Sequence, residues 1–188
     1  MPEGPDVRRL PASRRVVVDA GRAARSRHSV HGLLTVDGVK MVFHNTPDAE
    51  APAELIFYLP QHKALMQAEI INHTFHNLYT LRGAQVRNGL AWSKYINDII
   101  ATYGDEVEVS FGSHHWPTWG NAQILEFWKG QRDTYRYVHD EVLRLANHGL
   151  TMLEVAEEVK LPDTLAKNFA NRDYYGSVNH NAKAQYQL

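Results

Sequence analysis

The pattern of this chain changes near Gly120, and that change limits the fold more than any other feature of the sequence. Before it, short apolar runs of strand length alternate with one long stretch of helical spacing. After it, only helical stretches follow. A sheet needs cover and a helix needs a partner, so the order predicts a mixed α/β unit followed by a helical one. The clearest local signal is Asp37-Gly38, between Leu34-Thr-Val36 and Val39-Lys-Met-Val-Phe43. Asp-Gly supplies the positive φ angles of a tight two-residue turn, so these residues predict a β-hairpin. Leu55–Leu59 and Ala64–Ala68, joined around Pro60, and Val107–Phe111 read as further strands. Leu78, Leu81, Val86, Leu90, Ile96, Ile99 and Ile100 recur at helical spacing and predict a helix from His76 to Tyr103, stopped by Gly104. A second runs from Ile124 to Asn147. Thr151-Met-Leu-Glu154 fits a capping box opening a short helix through Val159, and Pro162–Ala170 reads as one more.

Composition narrows the function classes. With 188 residues, 44% of them hydrophobic, the chain suits one domain, or one domain with an appendage. A formal net charge of -1 gives no global basic field, which argues against a nucleic-acid partner. There is no cysteine, so disulfides, thiolate catalysis and thiolate zinc sites are excluded, and any metal must be held by imidazole and carboxylate. No apolar run approaches the ~20 residues that span a bilayer, and no secretory signal is visible, so the default location is cytoplasmic. Residues 1–32 differ from the rest: seven arginines from Arg8 to Arg27 crowd a stretch whose one apolar run is Val16-Val-Val18, and it reads as a loosely ordered basic arm.

Three ligand-type residues stand beside strands. Glu50 lies between Pro47 and Pro52, Glu69 follows Ala64–Ala68, and His114 follows Val107–Phe111. Side chains at the ends of strands can converge on one site, and carboxylate with imidazole suits zinc or manganese. Taken singly, each is more often a solvated or loop-bonding residue. His114-His-Trp-Pro117 is more specific, because a Trp and a Pro beside paired histidines fix a loop, although core packing also explains it.

Longer motifs carry a family resemblance. Thr46 to Glu54, Ala68-Glu69, His73-Thr-Phe-His-Asn-Leu-Tyr-Thr-Leu-Arg-Gly-Ala-Gln-Val-Arg87, Ser113-His-His-Trp-Pro-Thr-Trp-Gly120 and Tyr174-Tyr-Gly-Ser-Val-Asn-His-Asn181 together resemble the zinc-dependent alkylsulfatases of the metallo-β-lactamase superfamily. Those enzymes hydrolyse dodecyl sulfate and similar esters. The resemblance implies that residues 33–120 form the second half of an αββα catalytic domain and residues 121–188 an all-helical dimerisation region, giving a homodimer. It further implies that Glu50, Glu69 and His114 are ligands of a dizinc site, that Arg82 grips the sulfate and that Asn77 is a second contact. On one helix, Asn77 and Arg82 would stand about 140° apart and share a site only near its end. Arg87, a turn further on, reads as a solvated face. His180 reads equally as a substrate contact or as an interhelical histidine.

The family's first ligands come from a His-x-His-x-Asp-His motif. Here His28, His31 and His44 have the wrong spacing and no Asp-His pair, and the family's sequence continues past the residue matching Leu188. The expectation is therefore a fragment carrying half of a metal site, with little activity alone, or a non-enzymatic dimerisation module with a vestigial site. Met1-Pro-Glu-Gly-Pro-Asp-Val-Arg-Arg9 resembles the opening of the formamidopyrimidine and endonuclease VIII type DNA glycosylases. That likeness covers about ten residues, and the four-cysteine zinc finger usual in those enzymes cannot form here; a fused leader is the preferred reading.

Overall fold

The computed structural model describes residues 31–188. The basic arm and the glycosylase-like opening lie outside the described residues. Six strands form one sheet: β1 (His31–Val36), β2 (Val39–Asn45), β3 (Leu55–Leu59), β4 (Ala64–Met66), β5 (Val109–Phe111) and β6 (Thr118–Trp119). They lie side by side in chain order, all antiparallel except β4 with β5, which are parallel. The hairpin forms as its turn chemistry dictates. Val36 faces Val39, and Asp37 and Gly38 both take positive φ, 52° and 85°.

The parallel step needs a crossover, and residues 67–108 supply it. Its helix, α1 (Gly89–Tyr103), starts at Asn88, whose side chain accepts from the Ala91 amide at 2.9 Å. Trp92, Ile96, Ile99 and Tyr103 are buried along one face. The long α2 (Asn121–Asn147) lays Ile124, Phe127, Trp128, Tyr135, Val138, Val142 and Leu145 against it. Trp92 stacks on Tyr135 at 4.6 Å between ring centres. The indole NH of Trp128 donates to Gln67 and Ser110, each at 3.1 Å, fixing α2 to the ends of β4 and β5. Beyond it, α3 (Met152–Glu158) opens on the capping box: Thr151 and Glu154 each bond the other's backbone. A short α4 (Asp163–Ala166), a 3₁₀ turn at Phe169–Asn171 and α5 (Val178–Tyr186) complete the described chain.

The mixed sheet followed by helices agrees with the expectation, but several elements differ. The helix expected from His76 begins only at Gly89, and residues 76–88 form an irregular loop. Leu78, Leu81 and Val86 fit helical spacing by accident. Leu78 is buried while Leu81 is 91% exposed, and Gly83 turns the chain at φ 89°. The loop closes on itself instead, the Arg87 amide donating to the Leu78 carbonyl at 2.8 Å. The helix expected over Pro162–Ala170 is split into α4 and the 3₁₀ turn, while β6 and α5 were not anticipated.

Past the ends of β4 and β5 the two chains run close together. The Gln67 amide donates to the Phe111 carbonyl at 2.8 Å, and the Ser113 amide to the Ala68 carbonyl at 3.1 Å. A Cβ on Gly112 would stand 2.6 Å from that same Ala68 carbonyl oxygen. Gly112→Ala should therefore force the two chains apart and cost about 1–3 kcal/mol, read as a lowered urea midpoint with an unchanged slope.

Candidate metal centre

The loop from Thr46 to Glu54 is folded by its own backbone, with the Thr46 amide donating to the Glu54 carbonyl at 2.8 Å and the Asp48 amide to Ala51 at 3.2 Å. Asn88 ties it to the start of α1 through the Asp48 carbonyl at 3.1 Å. Glu50 is thereby held facing the crossover. Glu69 leaves β4 after Ala68, which takes φ 48°, and its amide donates to the Glu54 carboxyl at 3.3 Å. His114 follows β5, the neighbouring strand. The sheet thus brings Glu50, Glu54, Glu69 and His114 to one end, from three separate connections.

Glu69 is the shared group. One of its oxygens lies 2.9 Å from Nε2 of His114 and the other 3.2 Å from Nε2 of His76. Glu50, Glu69 and His76 each bring one ligand atom to within 4.8 Å of the others. His114 is not one of those three; it meets the group through Glu69 and is itself more than half exposed. Burial pushes the His76 imidazole below its ordinary value, opposed by its contacts with the Asn77 carbonyl and the Glu69 carboxylate. Two carboxylate oxygens and an imidazole nitrogen at this separation fit a divalent ion such as zinc.

Arg87 is the only Lys or Arg buried among the described residues. It is not on a solvated face, as its spacing suggested. It donates from Nε to the Glu50 carbonyl at 2.6 Å, from Nη2 to the Glu50 carboxylate, and from Nη1 to the carbonyl and side-chain oxygens of Asn77. His76 was also given no role from sequence. It stood in the motif His73–Arg87, seven residues after Glu69, but where a helix was expected to begin.

The loop bearing His114 is wedged by rings. His73 is sandwiched between Trp116 and Phe127, at 4.7 and 4.3 Å between ring centres, and shares a 3.1 Å hydrogen bond with Thr118. The fixed loop implied by the Trp and Pro beside His114 has this physical basis. On the other side of His76, a cavity of about 530 Å³ is lined by Asn77, Arg82, Tyr174, Tyr175 and His180. All three residues expected to touch substrate therefore border one cavity, although no helix joins Asn77 to Arg82. Arg82 is exposed, Asn77 is buried against Arg87, and His180 bonds the Tyr79 carbonyl at 2.9 Å. Tyr175 meets the His76 ring edge-on at 4.9 Å, so cavity and ligand cluster share a wall.

Comparison with known proteins gives the family. Residues 151–188 match the alkyl sulfatase dimerisation family. Over 153 residues, 81% of the chain, it is 54% identical to a linear primary-alkylsulfatase of Pseudomonas and 45% identical to the alkyl/aryl-sulfatase BDS1 of Saccharomyces cerevisiae. The chain is a homologue of the alkylsulfatases. Among solved structures, the inverting sec-alkylsulfatase Pisa1 from Pseudomonas superposes with a TM-score of 0.82 at 41% identity, covering 84% of this chain and 25% of that one. The chain spans about a quarter of the length of these relatives, 23% and 24% for the two sulfatases first named.

Three carboxyl groups crowd the centre beside one buried guanidinium. Burial lifts Glu54 from 4.5 to about 7, opposed by the Glu69 amide and helped by the charges of Glu50 and Glu69. A folded value above the unfolded one means that folding takes up a proton between these limits, so stability is lost as pH rises through that window. Glu54→Gln should raise the melting temperature of the metal-free chain at pH 8. Glu54 is partly exposed, so the effect is discounted to roughly 1 kcal/mol, or ~2–4 °C. The gain should fade towards pH 4.5, which thermal melts across that range would check.

Proposed function

We propose that this chain provides the carboxylate-and-histidine side of a zinc centre that hydrolyses alkyl sulfate esters of the dodecyl sulfate type. The observation that carries the reading is the convergence of Glu50, Glu69 and His76, with His114 on Glu69, beside a cavity bordered by Arg82, Asn77 and His180. Homology to alkylsulfatases supports it. Bound zinc would supply a nucleophilic hydroxide near neutral pH and offset charge on the ester oxygens. In the proposed dizinc centre Glu50, Glu69 and His114 would be ligands on this side, and His76, whose Nε2 stands with Glu50 and Glu69, would be a further one.

The protein's own residues supply binding and orientation. Arg82 offers a planar fork of donors to a tetrahedral sulfate. Asn77 is held in register by Arg87, which accounts for its place at the cavity wall. His180, fixed by the Tyr79 carbonyl, would touch the substrate from the helical side. Leu81 and Tyr174, among the most exposed apolar side chains, flank the same cavity and suit an alkyl chain. Residues 151–188 would serve homodimerisation, as the family they match implies. No described helix is long and apolar enough to cross a membrane.

One observation favours a second reading, a dimerisation module with a vestigial site. Arg87 already pairs with Glu50, so that carboxylate has a counter-charge without a metal. Calorimetric titration with zinc, run beside a dodecyl sulfate hydrolysis assay, separates the two. The isolated chain should bind zinc with a dissociation constant above ~1 μM and turn over slowly at best. Glu69→Gln should abolish zinc binding, whereas Arg82→Ala should leave it intact and weaken dodecyl sulfate binding about tenfold or more. Zinc binding unaffected by Glu69→Gln would overturn the assignment.

A further inference from the structure

The loop from His76 to Asn88 carries a candidate ligand, the proposed sulfate arginine and the buried Arg87, yet it has no helix or strand of its own. Its backbone still needs partners, because buried amide and carbonyl groups are almost always paired. Two side chains on α5 provide them. Asn181 donates to the His76 carbonyl at 2.9 Å and accepts from the Leu78 amide at 2.8 Å. Gln185, one helical turn on, donates to the Arg87 carbonyl at 2.9 Å and accepts from the Gly89 amide at 2.9 Å. Each primary amide thus spans residues i and i+2 of the loop, the pattern by which one strand pairs with another. Asn181 grips the start of the loop and Gln185 its end.

The two grips are built into the surrounding packing. Both side chains are buried, at 0% and 4% exposure. A Cβ on Gly89 would stand 2.8 Å from the Gln185 side-chain oxygen, and one on Gly176 would stand 2.6–2.7 Å from the backbone of His76 and Asn77. The segment leading into α5 adds two backbone bonds, from the Gly176 amide to Phe75 at 2.8 Å and from the Phe75 amide to Arg172 at 3.3 Å. Neighbouring Asn179 faces elsewhere. It bonds the Ala156 carbonyl at 3.0 Å and Glu157 at 2.9 Å, joining α5 to α3.

We infer that Asn181 and Gln185 are positioning residues of the metal centre: α5 sets the geometry of His76 and Arg87 by acting as a surrogate strand for the loop that bears them. The inference rests on the metal reading given above for the consequence of the clamp, but not for its existence. Residues that orient a ligand from behind typically cost 10–100-fold in metal affinity when removed.

The test compares Asn181→Ala with Asn179→Ala in the full chain. Both remove an amide from α5, but only the first touches the loop. Asn181→Ala should raise the zinc dissociation constant about tenfold or more, while Asn179→Ala stays within about twofold of the native chain at a comparable loss of melting temperature. Amide hydrogen exchange should show the Leu78 amide unprotected in Asn181→Ala and Ile96 in α1 unchanged. Gln185→Ala is the second variant should Asn181→Ala fail to fold, with Gly89 as its reporter amide. Equal zinc weakening by Asn179→Ala and Asn181→Ala would overturn the inference. If the native chain binds no zinc, the metal reading falls. The clamp then stands or falls on whether the Leu78 and Gly89 amides lose protection in the two variants.

Discussion

The ion pair of Arg87 with Glu50 is the interaction on which the rest of this end of the molecule depends. A guanidinium held 5% exposed is tolerated when its donors are matched, and here Nε, Nη1 and Nη2 all find acceptors. Those acceptors belong to the Glu50 loop and to the start of the irregular loop. One side chain therefore fixes two connections, reaching acceptors 10 and 37 residues away in sequence. Removing either partner would leave a buried charge uncompensated, a larger loss than the pair contributes.

The same arithmetic governs the ligand cluster. Three carboxyl groups face one guanidinium and two imidazoles. Burial is the main cause of the raised value at Glu54, and the crowding of negative charge from Glu50 and Glu69 adds to it. A divalent ion on Glu50, Glu69 and His76 would relieve that crowding, so the donor set and the charge balance point the same way. Arg87 covers part of that negative charge through its pair with Glu50.

Much of this was legible in the sequence, for reasons that differ by element. The hairpin at Asp37-Gly38 and the capping box at Thr151 and Glu154 are local devices, complete within a few residues, and both formed as read. The strands before Glu69 and His114 were placed to within two residues. However, the residue that joins Glu50 and Glu69 in one cluster is His76, which had no assigned role, and His114 meets that cluster only through Glu69. The irregular loop was not legible. Leu78, Leu81 and Val86 imitate a helix, and nothing nearby announces that the hydrogen bonds of Leu78 and Gly89 come from Asn181 and Gln185, about a hundred positions on. Arg87 looked solvated for the same reason, its partner Glu50 being distant in sequence. Sequence patterns report periodicity and local chemistry; they do not report long-range side-chain partners of an irregular backbone.

That limit bears on how the helices after Gly120 relate to the sheet. They pack against it rather than follow it. Trp128 bonds the ends of β4 and β5, Phe127 stacks on His73 behind the His114 loop, and α5 completes the backbone of the loop bearing His76. An irregular loop that must hold ligands costs backbone entropy of roughly 1–2 kcal/mol per residue, and α1 alone offers it only an anchor at one end. The matched amides on α5 and the ring stack on α2 offset that cost from the opposite side. The segment that matches a dimerisation family therefore turns an inner face to its own chain, and the loop bearing His76 and Arg87 takes its backbone partners from that face.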